Sequence, residues 1–316
     1  MLVLDGSVSP YLPTKEILAA MCGCPERDLP ADRLISMLRE RLAMLHDVSS
    51  ERIALFPHDE HRFEPLLERQ RDVPWVTYSP GGHSLGSPAS LSIERDRRFR
   101  IDTAQIEATP RGSVALVMTP NDPTGNAIGV TTAAQLGRRC SLLILDERSA
   151  EMQRRSMIPL VEEFDSIVLA RSFADWAGLG TDAPGYAITT KRIAKTLDRS
   201  GDLATAGVHA ALAAVSNAAQ LDAIAHRVRL ERMRLYRMLR KLNFLAPFPS
   251  DSGYVLAQVT RGDRDTIAAA LQEREIAVFA PADDRLRETL RFSAISPVAT
   301  RALQDALVEI SRTAID

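Results

Sequence analysis

Five side chains could do chemistry in this sequence. Tyr78, Asn121, Asp122 and Asp146 lie at or just beyond the ends of predicted strands, and Asp175 lies in a later segment. In α/β proteins the carboxyl ends of the strands line one crevice, so we expect these residues to face a common ligand site. Three of them are acids, and a carboxylate that its neighbours keep protonated could act there as a general acid or base. The spacing therefore predicts an acidic crevice.

The segment from Arg171 to Tyr186 carries the most informative pattern, R-S-F-A-D-W-A-G-L-G-T-D-A-P-G-Y. It resembles the lysine segment of the fold-type-I (class I/II), pyridoxal-phosphate (PLP) dependent aminotransferases, most closely the histidinol-phosphate aminotransferase-like branch. Ser172 aligns with a hydroxyl that contacts the cofactor phosphate. Asp175 stands where the family has the Schiff-base lysine, and Ala183 stands where it has the arginine that pairs with the cofactor phosphate.

These two exchanges change the chemistry that the resemblance implies. PLP acts as an electron sink once its aldehyde has joined an amine, and a carboxylate cannot form that bond. Without the arginine, the crevice also loses the charge that offsets a phosphate dianion. We expect all the lysines to lie away from the crevice: Lys15, Lys191, Lys195 and Lys241. We therefore expect no cofactor, because Asp175 excludes a Schiff base and the missing arginine disfavours PLP held without one.

Two more motifs of this family recur in the same order, again with changes at the cofactor. The loop 119–126 (T-P-N-D-P-T-G-N) resembles N-P-N-N-P-T-G-N. It keeps Asn121 but has Asp122 in place of an asparagine that donates to the cofactor ring oxygen, and an ionised aspartate cannot donate. Asp146 matches the aspartate of a D-E-A-Y element, which pairs with the pyridine nitrogen. Ser149 replaces the tyrosine of that element.

The resemblance implies a ligand role for two further residues. Tyr78 aligns with an aromatic residue that stacks on the pyridine ring, although an ordinary strand-end tyrosine is an equal alternative. Arg291, in L-R-F-S, aligns with the arginine that clamps the substrate α-carboxylate by a bidentate fork. The alternative for Arg291 is a surface-strand arginine. The glycine-rich phosphate loop is replaced by P-H-D-E-H-R at 57–62, which is more typical of a solvated helix start than of a metal site.

Hydrophobic periodicity predicts the elements that position these residues. Predicted helices cover 14–21, 31–46, 131–138, 204–242, 265–273 and 300–313, and predicted strands cover 51–56, 73–79, 113–118, 141–145 and 276–279. With the resemblance, this order predicts an α/β protein with a PLP-transferase-like three-layer α/β/α large domain and a small α+β domain. The expected division is an N-terminal arm over 1–30, the large domain over 31–235 and the small domain over 236–316.

The composition narrows the partners that the protein could have. The chain has 316 residues, of which 45% are hydrophobic and 25% charged, which is ordinary for a globular protein. A net charge of −2 gives no electrostatic reason to expect nucleic acid or an anionic membrane as a partner. No apolar run is long enough to span a bilayer, so we expect a cytoplasmic protein with its three cysteines reduced. The resemblance implies a homodimer, because the family's arm crosses to the partner subunit.

Three functions are consistent with the sequence. The one we favour is a PLP-independent enzyme that acts on an amino-acid-like substrate in the ancestral crevice, with Asp175 as the catalytic residue and Arg291 holding a carboxylate. The second is a non-catalytic homologue that binds a ligand, regulates, or serves as a partner subunit. The third is a genuine PLP-dependent aminotransferase whose lysine lies elsewhere than this alignment places it.

Overall fold

The computed structural model of the protein describes residues 1–6, 11–23, 29–59, 61–81, 90–147, 149, 156–180 and 183–313. Parts of the predicted arm, 7–10 and 24–28, lie outside the described residues. So do Glu60 of the loop that replaces the phosphate loop, and residues 181–182 of the Arg171–Tyr186 segment.

Helices and strands alternate along most of the described chain. The helices are α1 (Lys15–Gly23), α2 (Ala31–His46), α3 (Glu64–Arg69), α4 (Thr103–Ala108), α5 (Val130–Arg139), α6 (Ile158–Glu163), α7 (Phe173–Trp176), α8 (Lys191–Leu197), α9 (Thr205–Ser216), α10 (Ala218–Leu239), α11 (Arg264–Glu273) and α12 (Pro297–Thr313). The strands are β1 (Leu2–Leu4), β2 (Ile53–Pro57), β3 (Trp75–Ser79), β4 (Ser90–Glu94), β5 (Val114–Met118), β6 (Leu142–Asp146), β7 (Ile167–Ser172), β8 (Pro184–Ile188), β9 (Leu245–Pro247), β10 (Tyr254–Val259), β11 (Ile276–Val278) and β12 (Thr289–Ser293).

Seven strands form the large sheet, in the order β2-β8-β7-β6-β5-β3-β4. Strand β8 is antiparallel to both of its neighbours, and the other adjacent pairs are parallel. Met118, Asp146 and Ala170 are direct partners across β5, β6 and β7. The carboxyl ends of these three strands therefore share one edge of the sheet, as the crevice prediction requires.

The large domain has three layers because successive residues of its strands point to opposite faces. In β6, Leu143 and Leu145 belong to the core that α2, α5 and α9 cover. The alternate residues of the strand, Leu142 and Ile144, belong to a second core on the other face of the sheet, which packs against α8. Strands buried on both faces explain the continuous apolar runs from which the sequence predicts them. The predicted α/β/α architecture is confirmed.

A smaller sheet, in the order β12-β10-β9, is antiparallel and packs on a separate core. The predicted arm begins with β1, which pairs in parallel with β11 of the same chain. Helix α10 contributes Ile224 to the large-domain core and Ala225 to the small-domain core. The two cores thus meet on this helix, while the domain boundaries stay a prediction. Within the described ranges, no helix is long and apolar enough to cross a membrane.

Candidate functional site

Asp146 ends β6 at the crevice edge of the large sheet, and its side chain is almost fully buried. Arg62 Nη2 donates to Asp146 Oδ2 over 2.8 Å. The same guanidinium donates through Nη1 to the carbonyl of Asp59, which fixes it to the loop that follows β2. Sequence reasoning missed Arg62, although a cation directly after the altered phosphate loop was a signal. A buried guanidinium paired with Asp146 is thus a defining feature of this crevice.

Asp175 lies on α7, a single turn that begins directly after β7. Ser172 caps this turn, because its Oγ accepts a hydrogen bond from the backbone N–H of Ala174 at 2.9 Å. Ser149 Oγ donates to Asp175 Oδ2 over 2.9 Å. Ser149, three residues beyond Asp146, thus orients the carboxylate that stands at the lysine position. The cap also accounts for Ser172 without the phosphate contact that the resemblance implies.

Asn121 supports the loop 119–126 from within. Its side chain is fully buried, and its amide donates to the carbonyl of Pro80 at 3.0 Å and to Thr124 Oγ1 at 2.7 Å. The next residue, Asp122, is partly exposed and faces the crevice side of the loop, where its Oδ1 accepts from Arg291 Nη1 over 2.6 Å. The structure therefore gives Asn121 a scaffold role and places Asp122 beside Arg291.

Arg291 on β12 is buried, with its side chain 6% exposed, so the alternative of a surface-strand arginine is wrong. Nη2 donates to the carbonyl of Asp5 over 2.6 Å. The guanidinium carbon lies 4.6 Å from the centroid of the Tyr254 ring and 4.1 Å from that of Phe279. The two aromatic rings that contact the guanidinium, and the Asp122 and Asp5 oxygens that accept its hydrogen bonds, hold the Arg291 side chain in place.

Tyr254, which the sequence did not single out, links the small domain to the loop 119–126. Its hydroxyl donates to the carbonyl of Asn121 over 3.0 Å. Burial raises the pKa of this phenol well above its ordinary value, and the charges of Asp122 and Asp175 raise it further. Both carboxylates therefore lie close to one hydroxyl, in the same crevice.

Tyr78 does not offer a face to a ligand. Its side chain is 1% exposed and lies in the main core of the large domain. The hydroxyl lies 2.7 Å from Thr109 Oγ1, and burial raises the pKa of the phenol. The structure thus shows the strand-end tyrosine that was the equal alternative, because Tyr78 points into the sheet face rather than beyond the strand's end.

The predicted acidic cluster contains two arginines. Asp122 pairs with Arg291, Asp146 pairs with Arg62, and Asp175 accepts a hydrogen bond from Ser149. The two ion pairs join residues 84 and 169 positions apart in the chain, so the sequence pattern alone could not reveal them. The described residues contain no group of three or more His, Cys, Asp or Glu that could hold a metal ion.

The lysines that were predicted to lie away from the crevice can be located. Lys191 and Lys195 belong to α8, which follows β8. Gly185 pairs with Ser172 near the crevice edge, whereas Ile188 pairs with Leu169 further down the sheet, so β8 leads away from the crevice. Lys191 Nζ forms an exposed ion pair with Glu51.

Comparisons with known proteins agree with this geometry. No family model matches the chain. The chain is 29% identical to histidinol-phosphate aminotransferase 1 of Bradyrhizobium diazoefficiens, with 99% of the chain and 92% of that protein covered. The histidinol-phosphate aminotransferase of Clostridium acetobutylicum has the same fold, with a TM-score of 0.84, 15% identity and 99% of each chain covered. That of Sinorhizobium meliloti, solved in complex with pyridoxal-5'-phosphate, gives a TM-score of 0.81 at 20% identity, with 99% of this chain and 91% of that chain covered.

These comparisons correct the prediction that the crevice uses no cofactor. The sequence relatives are aminotransferases, and a solved neighbour of the same fold contains PLP, so the findings point to PLP rather than to none. The residues present fit the ring end of such a group, because Asp146 is a buried carboxylate at the end of β6. Near the loop after β2, Arg62 supplies a guanidinium that the alignment did not foresee. The inference of no cofactor failed because it considered only the positions at which the family places its lysine and arginine.

The chain thus resembles histidinol-phosphate aminotransferases along nearly its whole length and has the fold of solved fold-type-I aminotransferases.

Proposed function

We propose that the protein binds PLP, or its amine form pyridoxamine phosphate, in this crevice and acts there on a small amino compound as an aminotransferase. The observation that carries the proposal is the buried carboxylate of Asp146 at the end of β6. When bound, PLP supplies an electron sink for reactions at a carbon that bears an amine. The remaining chemistry has to come from residues of this chain.

Asp146 would hold the ring nitrogen. An ionised carboxylate has about four lone-pair sites, so Asp146 can accept a hydrogen bond from a ring N–H while it still accepts from Arg62. Because the side chain is buried, such a charge-assisted hydrogen bond is stronger than it would be in water. Arg62 contacts the loop after β2 and supplies a positive charge there. The resemblance to aminotransferases implies that this loop lies beside the cofactor phosphate.

Asp175 would face the amine. A carboxylate forms no covalent bond with the PLP aldehyde, but it pairs with a protonated amine and can accept a proton as a general base. Ser149 donates to Oδ2, which directs the carboxylate and fixes one of its oxygens. We therefore propose that hydrogen bonds and ion pairs hold the cofactor, without a covalent bond at residue 175.

Titration calorimetry of the purified protein with PLP and with pyridoxamine phosphate tests this proposal. We expect saturable binding of at least one of them, and weaker binding by at least about tenfold in Asp146→Asn, which loses the charge that attracts the ring N–H. Glu51→Gln is the matched control, because it removes an exposed carboxylate away from the crevice. A Kd of about 1 mM corresponds to a binding free energy of only about −4 kcal/mol. If neither form binds at that concentration, the proposal is ruled out.

A non-catalytic, ligand-binding role is the second candidate. The two ion pairs Asp146–Arg62 and Asp122–Arg291 favour it, because they balance the charges of the crevice without any ligand. Mixing the PLP-loaded protein with a primary amine that carries no carboxylate separates the two candidates. Conversion of the aldehyde form to the amine form supports catalysis, whereas binding without conversion supports the second candidate.

We also propose that the protein is a homodimer. The arm and α1 expose apolar side chains, among them Tyr11, Leu18 and Met21, each 40% exposed or more. Such residues are costly to leave in water, and a second copy of the chain could cover them. Light scattering during gel filtration tests this proposal, which a monomeric mass would contradict.

A further inference from the structure

Both terminal nitrogens of Arg291 already donate hydrogen bonds within the chain. A guanidinium holds a carboxylate most strongly through two parallel N–H donors. In this protein Nη1 donates to Asp122 and Nη2 donates to the carbonyl of Asp5. The rings of Tyr254 and Phe279 lie near the same guanidinium, within 4.6 Å and 4.1 Å of its central carbon. Only Nε lacks a hydrogen-bond partner among the described residues, so any two-nitrogen fork would have to include a nitrogen that already donates to Asp122 or to the Asp5 carbonyl.

The other guanidinium of the crevice is engaged as well. Arg62 donates to Asp146 and to the carbonyl of Asp59. A ligand carboxylate would therefore have to compete with Asp122 or Asp146 for its arginine. An ammonium group would instead be attracted by the carboxylates of Asp122 and Asp175, whose charges both act on the Tyr254 hydroxyl.

We propose that Asp122 is a specificity-determining residue that closes the arginine site, so that the crevice selects amines that carry no carboxylate over α-amino acids. The inference rests on the proposed function, since it assumes that the crevice binds an amine together with the cofactor. It corrects the sequence-based expectation that Arg291 holds a substrate carboxylate. Asp122 occupies that place with a carboxylate from the chain itself.

The test compares L-histidinol with L-histidine, which differ in that a hydroxymethyl group replaces the carboxylate. Both are titrated calorimetrically into the protein saturated with pyridoxamine phosphate. We expect the wild-type protein to bind histidinol at least tenfold more tightly. In Asp122→Asn, which keeps the size but removes the charge, we expect histidine to gain at least tenfold and histidinol to lose affinity. In the double variant Asp122→Asn/Arg291→Gln, the gain for histidine should vanish, because the freed guanidinium is its cause.

Equal binding of the two ligands by the wild-type protein would overturn the inference, and this measurement needs no variant to fold. Asp122→Ser replaces Asp122→Asn if thermal unfolding shows the latter to be misfolded. Cofactor binding is measured first in the same samples, so the two failures can be told apart. If the cofactor binds but neither ligand does, the specificity inference fails alone. If the cofactor does not bind, the proposed function fails and the inference falls with it.

Discussion

Arg62 Nη2 lies 2.8 Å from Asp146 Oδ2, and the two side chains are only 5% and 3% exposed. The pair therefore joins the loop after β2 to the end of β6 in surroundings with little water. A charge that loses its partner in such surroundings keeps the cost of desolvation without the compensating attraction.

Replacing Arg62 by glutamine should therefore lower the free energy of unfolding by about 3–5 kcal/mol, measured by urea denaturation. The double variant Arg62→Gln/Asp146→Asn should recover part of the loss, because it removes the orphaned charge. Lys191→Gln is the control, since the Lys191–Glu51 pair is exposed and its loss should cost no more than about 1 kcal/mol. Equal losses in the buried and exposed variants would contradict this account of the crevice.

Asp175 offers a direct test of the lysine position. Asp175→Lys places an amine at the start of α7, where the proposed cofactor aldehyde would lie. After incubation with PLP and reduction with borohydride, the peptide that contains residue 175 should gain the mass of the reduced cofactor. The wild-type protein, treated in the same way, should show no such gain at that peptide. Specific labelling of one of the four native lysines in the wild-type protein would instead support a relocated lysine.

The predicted strands include β5 and β6 of the interior of the large sheet and its edge strand β2, but they omit the interior strand β7 and the other edge strand, β4. The run 113–118 is continuous and apolar, as a strand covered on both faces must be, and it forms β5. The edge strand β4 was not predicted, because four of its five residues are exposed and it has no apolar run. Its position depends instead on pairing with β3.

At the site, the sequence identified single residues but not their partners. Resemblance located Asp122, Asp146, Asp175 and Arg291, yet it did not show that Asp146 pairs with Arg62 or that Asp122 pairs with Arg291. Tyr254 reaches a carbonyl 133 positions earlier in the chain. Such contacts are consequences of tertiary packing, which motif spacing does not encode.

Substitutions at the two glycines after α7 can distinguish the cost of backbone strain from the cost of lost packing. Gly178 and Gly180 both have φ of +71°. A Cβ at Gly178 would lie 2.6 Å from Leu12 Cβ and 2.9 Å from backbone atoms of the arm, whereas a Cβ at Gly180 would meet nothing within 4 Å. Gly180→Ala should cost about 1–2 kcal/mol of unfolding free energy from the left-handed backbone alone. Gly178→Ala should cost about 1–3 kcal/mol more, because the arm must move. Equal costs would show that the arm does not pack on this turn.

His46 should make stability depend on pH. Burial and the charge of Arg171 lower the pKa of His46 from 6.5 to about 3, and Nε2 lies 2.9 Å from the Tyr186 hydroxyl. Between these two pH values the unfolded chain binds a proton that the folded chain does not, so this contribution is present above pH 6.5 and is lost as the pH falls towards 3. His46→Gln should flatten the fall in urea-unfolding free energy between about pH 7 and pH 4. Parallel pH profiles of the variant and the wild-type protein would contradict the prediction.

Helix α10 runs for 22 residues, from Ala218 to Leu239, and contains neither proline nor glycine. At 1.5 Å per residue it is about 33 Å long. Its start packs in the large-domain core and the rest of its length packs in the small-domain core. A helix without proline or glycine lacks the residues at which helices most often kink. A rotation of the small sheet relative to the large one would thus have to bend the chain before or after α10. Because α10 packs in both cores, disrupting one core would also weaken the packing of the helix in the other.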